Sequence, residues 1–217
     1  MISVERQQKL LLTIAKELKK PIIAYAVGGT AMMFLGFKDA TLDIDLVFEN
    51  VKDREIFKKA IKEIGYSEMD SIKIYGAREN QPEMLSLGDE RFDLFVDKII
   101  HFNFSKNMKK RAEAVHQFKD NLILKITDYH DIILLKCATD RVKDIEDARL
   151  IIENKKIDWN ILVEEAKEQI KLGNETTAFE LGEFLEKLEK IKVKIPKDIL
   201  NQFFNIVTKQ MKEKQTS

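Results

Sequence analysis

Two aspartates and a pair of glycines carry the chemistry most readily read from this chain. Asp43 and Asp45 stand at i and i+2 in a segment, Thr41 to Phe48, that alternates cleanly. Leu42, Ile44, Leu46 and Phe48 point one way on a strand there, and the two carboxylates point the other. Residues so spaced lie roughly 7 Å apart on one strand face. Like charges that close are costly to bury without a cation, and hard carboxylate oxygens are the ligands that Mg2+ takes. Taken alone, the pair is also what the acidic face of a half-exposed strand looks like.

Upstream, Ile22 to Val27 is a short apolar run, read as a buried strand, and it ends at Gly28-Gly29-Thr30. A short helix follows from Thr30 to Leu35, with Gly36 as its stop. A strand, a glycine turn and a helix start aim backbone N–H groups and a helix N-terminus at a phosphate, and the Thr30 hydroxyl adds a donor at the same place. Gly29 precedes Asp43 by 14 residues. An anion-binding turn beside a cation-binding strand is what a metal–triphosphate complex requires. Neither Gly-x-Gly-x-x-Gly nor Gly-x-x-x-x-Gly-Lys-Ser/Thr occurs, so dinucleotide and P-loop readings have no residues to rest on.

The elements that must hold these residues follow from periodicity. Ser3 to Lys20 has helical spacing and is stopped by Pro21. A helix from about Asp53 is closed by Gly65, and Tyr66 to Tyr75 reads as a strand before a loop from Gly76 to Pro82. Leu85-Ser86-Leu87 and Phe92 to Val96 read as two strands about a turn at Gly88-Asp89. After His101 the pattern turns mostly helical, with an extended piece at Leu122 to Ile126. Helices are then expected near Tyr129 to Thr139, Val142 to Asn154, Trp159 to Leu172, Thr176 to Lys190 and Lys197 to Lys212. The fold class is α/β (α+β): a short mixed sheet flanked by helices over 1–126, then a helical region over 127–217.

Composition bounds the rest. Lys plus Arg equals Asp plus Glu at 37 each, so net charge argues for no nucleic-acid partner and leaves a local basic patch open. The single Cys137 excludes an intramolecular disulfide and suits a reducing compartment. The apolar stretch near Leu10 is short and precedes its lysines, the wrong order for an export signal, and no window has the length of a membrane span. A cytoplasmic protein is expected. The three histidines are too scattered for a zinc site, and His130, at a helix start, is expected to face solvent.

Gly28-Gly29-Thr30 followed by Asp43-Ile44-Asp45 resembles the signature of the nucleotidyltransferase superfamily with the DNA polymerase β fold. It is most similar to minimal prokaryotic nucleotidyltransferases, including those related to abortive-infection type E toxins. The resemblance implies a third carboxylate on a later strand. Asp93, in Arg91-Phe92-Asp93-Leu94, matches that pattern, with Asp97 further along the same face in reserve. Three such carboxylates bridge two Mg2+ ions about 3.5–4 Å apart. The stretch from Asp128 through Lys136 to Arg141, Lys143, Asp144 and Asp147 is similar to a downstream block of the same relatives. There the resemblance implies that Lys136 reaches the triphosphate; snorkelling from a core helix is the alternative. Asp140, Asp144 and Asp147 share a helical face and read as supporting structure first. Where the relatives carry an Arg four residues before the first aspartate, this chain has Asp39 beside Lys38, a charge without a planar fork.

The resemblance implies an NTP substrate, Mg2+ as cofactor, and transfer of a nucleoside monophosphate to an RNA, protein or small-molecule hydroxyl. It also implies a toxin-like role with an antitoxin partner. A protein of the same fold that binds nucleotide or a partner without turnover is the alternative.

Overall fold

Alternating and apolar runs in the first half of the chain become the strands of one mixed sheet. The computed structural model describes residues 1–76, 79–139 and 141–215, in two units, Met1–Asp128 and Tyr129–Ser217. The first unit runs β1 (Ile2–Ser3), α1 (Val4–Glu17), β2 (Ile22–Ala26), α2 (Gly28–Phe34), β3 (Ala40–Thr41), β4 (Ile44–Phe48), α3 (Val51–Glu63), β5 (Ser67–Met69) and α4 (Ile72–Tyr75). It continues through β6 (Glu83–Leu87), β7 (Glu90–Val96), β8 (Lys98–Ile99), β9 (Phe102–Asn103), α5 (Lys106–Arg111), β10 (Val115–Phe118) and β11 (Leu122–Ile126).

The main sheet has the order β10-β11-β2-β4-β7-β6-β5, with β8 and β9 appended to β7, while β1 pairs β3 separately. β4 lies antiparallel to β2 and parallel to β7, so it is central. Side chains alternate across a strand, and this sorts the residues into two faces. On one, Phe48 of β4 and Phe92 of β7 meet Phe57 of α3, with ring centroids 5.2 and 6.4 Å apart. Asp45 and Asp93 lie an odd number of residues from Phe48 and Phe92, so the same alternation turns them to the opposite face. Local caps fix where the helices begin: the Ser3 and Asn50 side chains accept the backbone N–H groups of Arg6 and Asp53, each cap contributing about 1 kcal/mol.

Three expectations are corrected. The Thr41–Phe48 segment is not one strand: β3 ends at Thr41, β4 begins at Ile44, and Leu42 between them is 54% exposed instead of facing inward. Tyr66–Tyr75 is a three-residue strand followed by the one-turn helix α4, because Asp70 caps the backbone at Ile72 and breaks the extension. Within the expected loop from Gly76 to Pro82, positions 77 and 78 lie outside the described residues. The stretch after His101 holds three strands, β9, β10 and β11, with only the short helix α5 among them, before the helices of the second unit begin.

Among the described residues every element of the second unit is a helix: α6 (Tyr129–Lys136), α7 (Val142–Asn154), α8 (Trp159–Lys171), α9 (Thr177–Lys190) and α10 (Lys197–Gln215). α6 has no polar face; Ile132, Ile133 and Leu134 are all inaccessible to solvent. α8 and α10 each pack against α9, burying Leu162, Val163, Leu181, Leu185, Ile199 and Phe203. Among the described residues no helix is long and apolar enough to cross a membrane.

Candidate active site

Register brings the carboxylates together. β4 and β7 run parallel with Asp45 directly opposite Asp93, and Asp43 precedes β4 by one residue. Carboxylate oxygens of Asp43, Asp45 and Asp93 all lie within 4.8 Å of one another. Asp93 is fully buried. Burial pushes its carboxyl above the ordinary value, against the pull of Arg91 and the Tyr75 hydroxyl. Asp97, the reserve, is elsewhere: it follows the end of β7 with φ of +52° and accepts a hydrogen bond from Lys109 at 2.9 Å.

Two residues in this cluster were not anticipated. Arg91, two positions before Asp93 on the same strand face, donates through Nη2 to Asp43 and through Nε to Asp93 Oδ1 at 2.7 Å. Nη2 also reaches Asp93 Oδ2 at 3.2 Å. Burial works against the guanidinium's charge, but Asp93 and Asp43 outweigh it and hold Arg91 firmly protonated. Tyr75 of α4 donates its hydroxyl to Asp93 Oδ2 at 2.6 Å. Burial, and then the charges of Asp45 and Asp93, push the phenol well above its ordinary value, so it acts here only as a donor. Arg91 had a signal in the sequence: an opposite charge at i−2 from Asp93 must share its face. Tyr75 had none, because a one-turn helix is too short for periodicity to register.

The glycine turn abuts this cluster. Gly28 has φ of +55°, and a Cβ there would lie 2.8 Å from Asp45 Oδ2. A Cβ at Gly29 would lie 2.5 Å from Thr41 Oγ1. α2 starts at these glycines with no side chain capping it. Thr30 is placed differently from the phosphate donor expected of it. Its hydroxyl is buried, accepts the Asp45 N–H at 2.8 Å and lies 3.5 Å from the Asp43 carbonyl. Thr30 therefore ties α2 to the start of β4 and sets where the two aspartates stand. Gly29→Ala should cost about 1–3 kcal/mol by overpacking against Thr41. Urea denaturation checks this: adding Thr41→Ala, which removes the closest atom, should return a measurable part of the loss. No recovery would mean that the contact with Thr41 is not what excludes a side chain at Gly29.

The cluster fits a divalent cation: three hard oxygen donors converge, and the Arg91 guanidinium offsets part of their repulsion. A family described as "Nucleotidyltransferase of unknown function (DUF6036)" matches residues 1–195. The chain belongs to this nucleotidyltransferase family. No curated protein matches it. A solved structure of a candidate nucleotidyltransferase from H. pylori is similar at 18% identity, over 86% of this chain and 96% of that one, with a TM-score of 0.42.

In the helical unit of this family member, Lys136 is neither exposed nor snorkelling. Its Nζ donates to Asp144 at 2.8 Å and to Asp147 at 2.6 Å, with the residue only 8% exposed. Burial disfavours the ammonium, but Asp144 and Asp147 outweigh it and raise its pKa. Burial likewise opposes the charge on Asp144, which Lys136 and Arg141 nevertheless hold below the ordinary carboxylate value. Thr139 and Arg141 also donate to Asp144. Asp140 lies outside the described residues. His130 is buried, not solvent-facing, and accepts the Asp158 N–H at 2.9 Å through Nε2, joining the starts of α6 and α8.

Proposed function

We propose that this protein transfers a nucleoside monophosphate from a Mg2+-bound NTP to an acceptor hydroxyl and releases pyrophosphate. The observation that carries the reading is the convergence of Asp43, Asp45 and Asp93 beside a glycine turn where a Cβ has no room. These three aspartates would hold the metal, and Gly28 and Gly29 would leave space for phosphate against the backbone. When bound, Mg2+ neutralises charge on the triphosphate and its leaving group. The acceptor oxygen bonds to the α-phosphorus, the bond to pyrophosphate breaks, and Asp93 is assigned the hydroxyl proton. Thr30 acts by positioning, through its hydrogen bonds to the strand that carries the aspartates. Lys136 enters the proposal as a cation held charged by Asp144 and Asp147; any phosphate contact exchanges one of those bonds.

An RNA end, a protein hydroxyl or a small molecule is the acceptor class, in a cytoplasmic setting, with a toxin-like role and an antitoxin partner as one version. Labelled NTPs incubated with total RNA and with protein extract identify the acceptor by the product that carries label. In the toxin version, expression arrests growth and Asp43→Ala relieves the arrest. One observation favours a second reading, nucleotide binding without turnover: Arg91 already bonds two of the three carboxylates. That reading predicts NTP binding with no pyrophosphate released.

A triphosphate bridged by Mg2+ engages both the turn and the carboxylates, whereas a monophosphate engages one. The melting temperature should therefore rise with Mg2+ plus NTP and very little with NMP, NAD or Mg2+ alone, as mass action requires of a ligand that binds only the native state. An equal rise with NMP would leave the turn as only a turn.

A further inference from the structure

We propose that Arg91 is a built-in counter-cation of the carboxylate cluster, which a divalent cation must displace and which the incoming triphosphate then receives. The inference rests on the reading of the cluster as a Mg–NTP site. Its basis is the four-residue arrangement across β4 and β7. Asp45 faces Asp93, a like-charge pair, and Arg91, two residues before Asp93, bonds Asp43, two residues before Asp45. Like charges directly opposite destabilise a sheet and opposite charges stabilise it. Without a bound cation, the guanidinium neutralises part of the charge at this corner.

The same bonds stand in the way of a metal. Arg91 occupies oxygens of Asp43 and Asp93, two of the three carboxylates that converge. A dication and a guanidinium repel each other and compete for the same lone pairs, so binding of the bare ion carries the cost of releasing Arg91. A triphosphate changes the balance, because a planar guanidinium pairs with phosphate oxygens as well as it does with carboxylates. Arg91 therefore couples the two ligands: Mg2+ alone binds weakly, Mg2+ with NTP binds strongly, and each raises affinity for the other by the same factor. Arg91 is a positioning residue in this scheme, one that favours a metal delivered with its nucleotide over free metal.

The test is Arg91→Gln, which keeps a polar side chain of similar length without the charge. Calorimetric titration of magnesium chloride alone should show at least about tenfold tighter binding than wild type, the factor that losing one charge-assisted hydrogen bond corresponds to. The extra affinity that ATP confers on Mg2+ in wild type should shrink by a similar factor. In EDTA the variant should melt below wild type, and the rise on adding Mg2+ alone should exceed the wild-type rise. A merely structural role would move metal affinity the other way, so equal or weaker Mg2+ binding by Arg91→Gln overturns the proposal. Arg91→Lys keeps a charge but cannot bridge both carboxylates, and should fall between the two. If Arg91→Gln does not fold, Arg91→Lys decides, and unchanged Mg2+ affinity there overturns the proposal. Wild-type protein that ignores Mg2+ with ATP refutes the site reading itself, and this inference with it.

Discussion

Asp45→Asn and Asp43→Asn both lose the response to Mg2+ with NTP, yet they move the stability of the metal-free protein in opposite directions. Each removes one of three convergent anionic ligands, which should weaken Mg–NTP binding by about a hundredfold or more. The stability difference follows from what each carboxylate faces. Asp45 stands opposite Asp93 across β4 and β7, so neutralising it relieves a like-charge pair and the variant should melt at or above wild type. Asp43 accepts a hydrogen bond from Arg91, and its replacement leaves part of that guanidinium unpaired. With both partners partly exposed, the cost is about 1 kcal/mol. Calorimetric titration measures the affinity, and thermal denaturation in EDTA measures the stability. Undiminished affinity in both variants would sink the metal assignment, and a matched loss of stability would show that Asp45 opposes nothing.

The same four residues show what was legible in the chain and what was not. Asp43 and Asp45 were legible because a strand has period two and a glycine turn lies shortly upstream; both signals are local. Asp93 came from a resemblance, since nothing local says that β7 will lie beside β4. Arg91 was hidden by its sign. A search for metal ligands passes over a cation, although its spacing from Asp93 already placed it on the acidic face. Leu42 misled because alternation was continued through Asp43, where the chain breaks between β3 and β4. β10 was missed because it carries little apolar pattern: its residues are exposed or half-buried, and an edge strand needs only backbone partners to form.

Thr30 and His130 teach a related point. Both are polar residues at helix starts; Thr30 was read as a phosphate donor and His130 as facing solvent. Thr30 is buried and His130 is 4% exposed, each holding a backbone N–H from another element. A buried polar side chain must find a partner, and a backbone donor at the start of a neighbouring element is a ready one. Residue type identified the capacity to bond; only the fold decided that structure, not ligand, would use it.

Lys136→Met carries the largest expected effect on stability. The thioether keeps the apolar stem of lysine, so packing within α6 is largely preserved and charge is what the substitution removes. Asp144 and Asp147, 1% and 4% exposed, would then lose the ammonium that bonds them both. Breaking a buried pair by removing one partner costs about 3–5 kcal/mol, because an uncompensated charge is left behind. The sign of the pH dependence separates this from lost packing. Asp144, held below its ordinary value of 3.8, contributes stability that is full above that value and fades as pH falls through the lowered one. Lys136, raised above its ordinary 10.5, contributes fully below that value and fades as pH rises through the raised one. Between those limits the wild-type network is at full strength and the variant's deficit is greatest. As pH is lowered towards 4, Asp144, without the ammonium that holds its carboxyl low, takes up a proton more readily in the variant, so the deficit should shrink. Adding Asp144→Asn and Asp147→Asn to Lys136→Met should recover most of the loss at neutral pH. Urea denaturation between pH 4 and 8 reads wild type and both variants; a deficit that stays constant with pH would assign Lys136 to packing, and NTP affinity equal to wild type in the stable triple variant would free it of any role at the triphosphate.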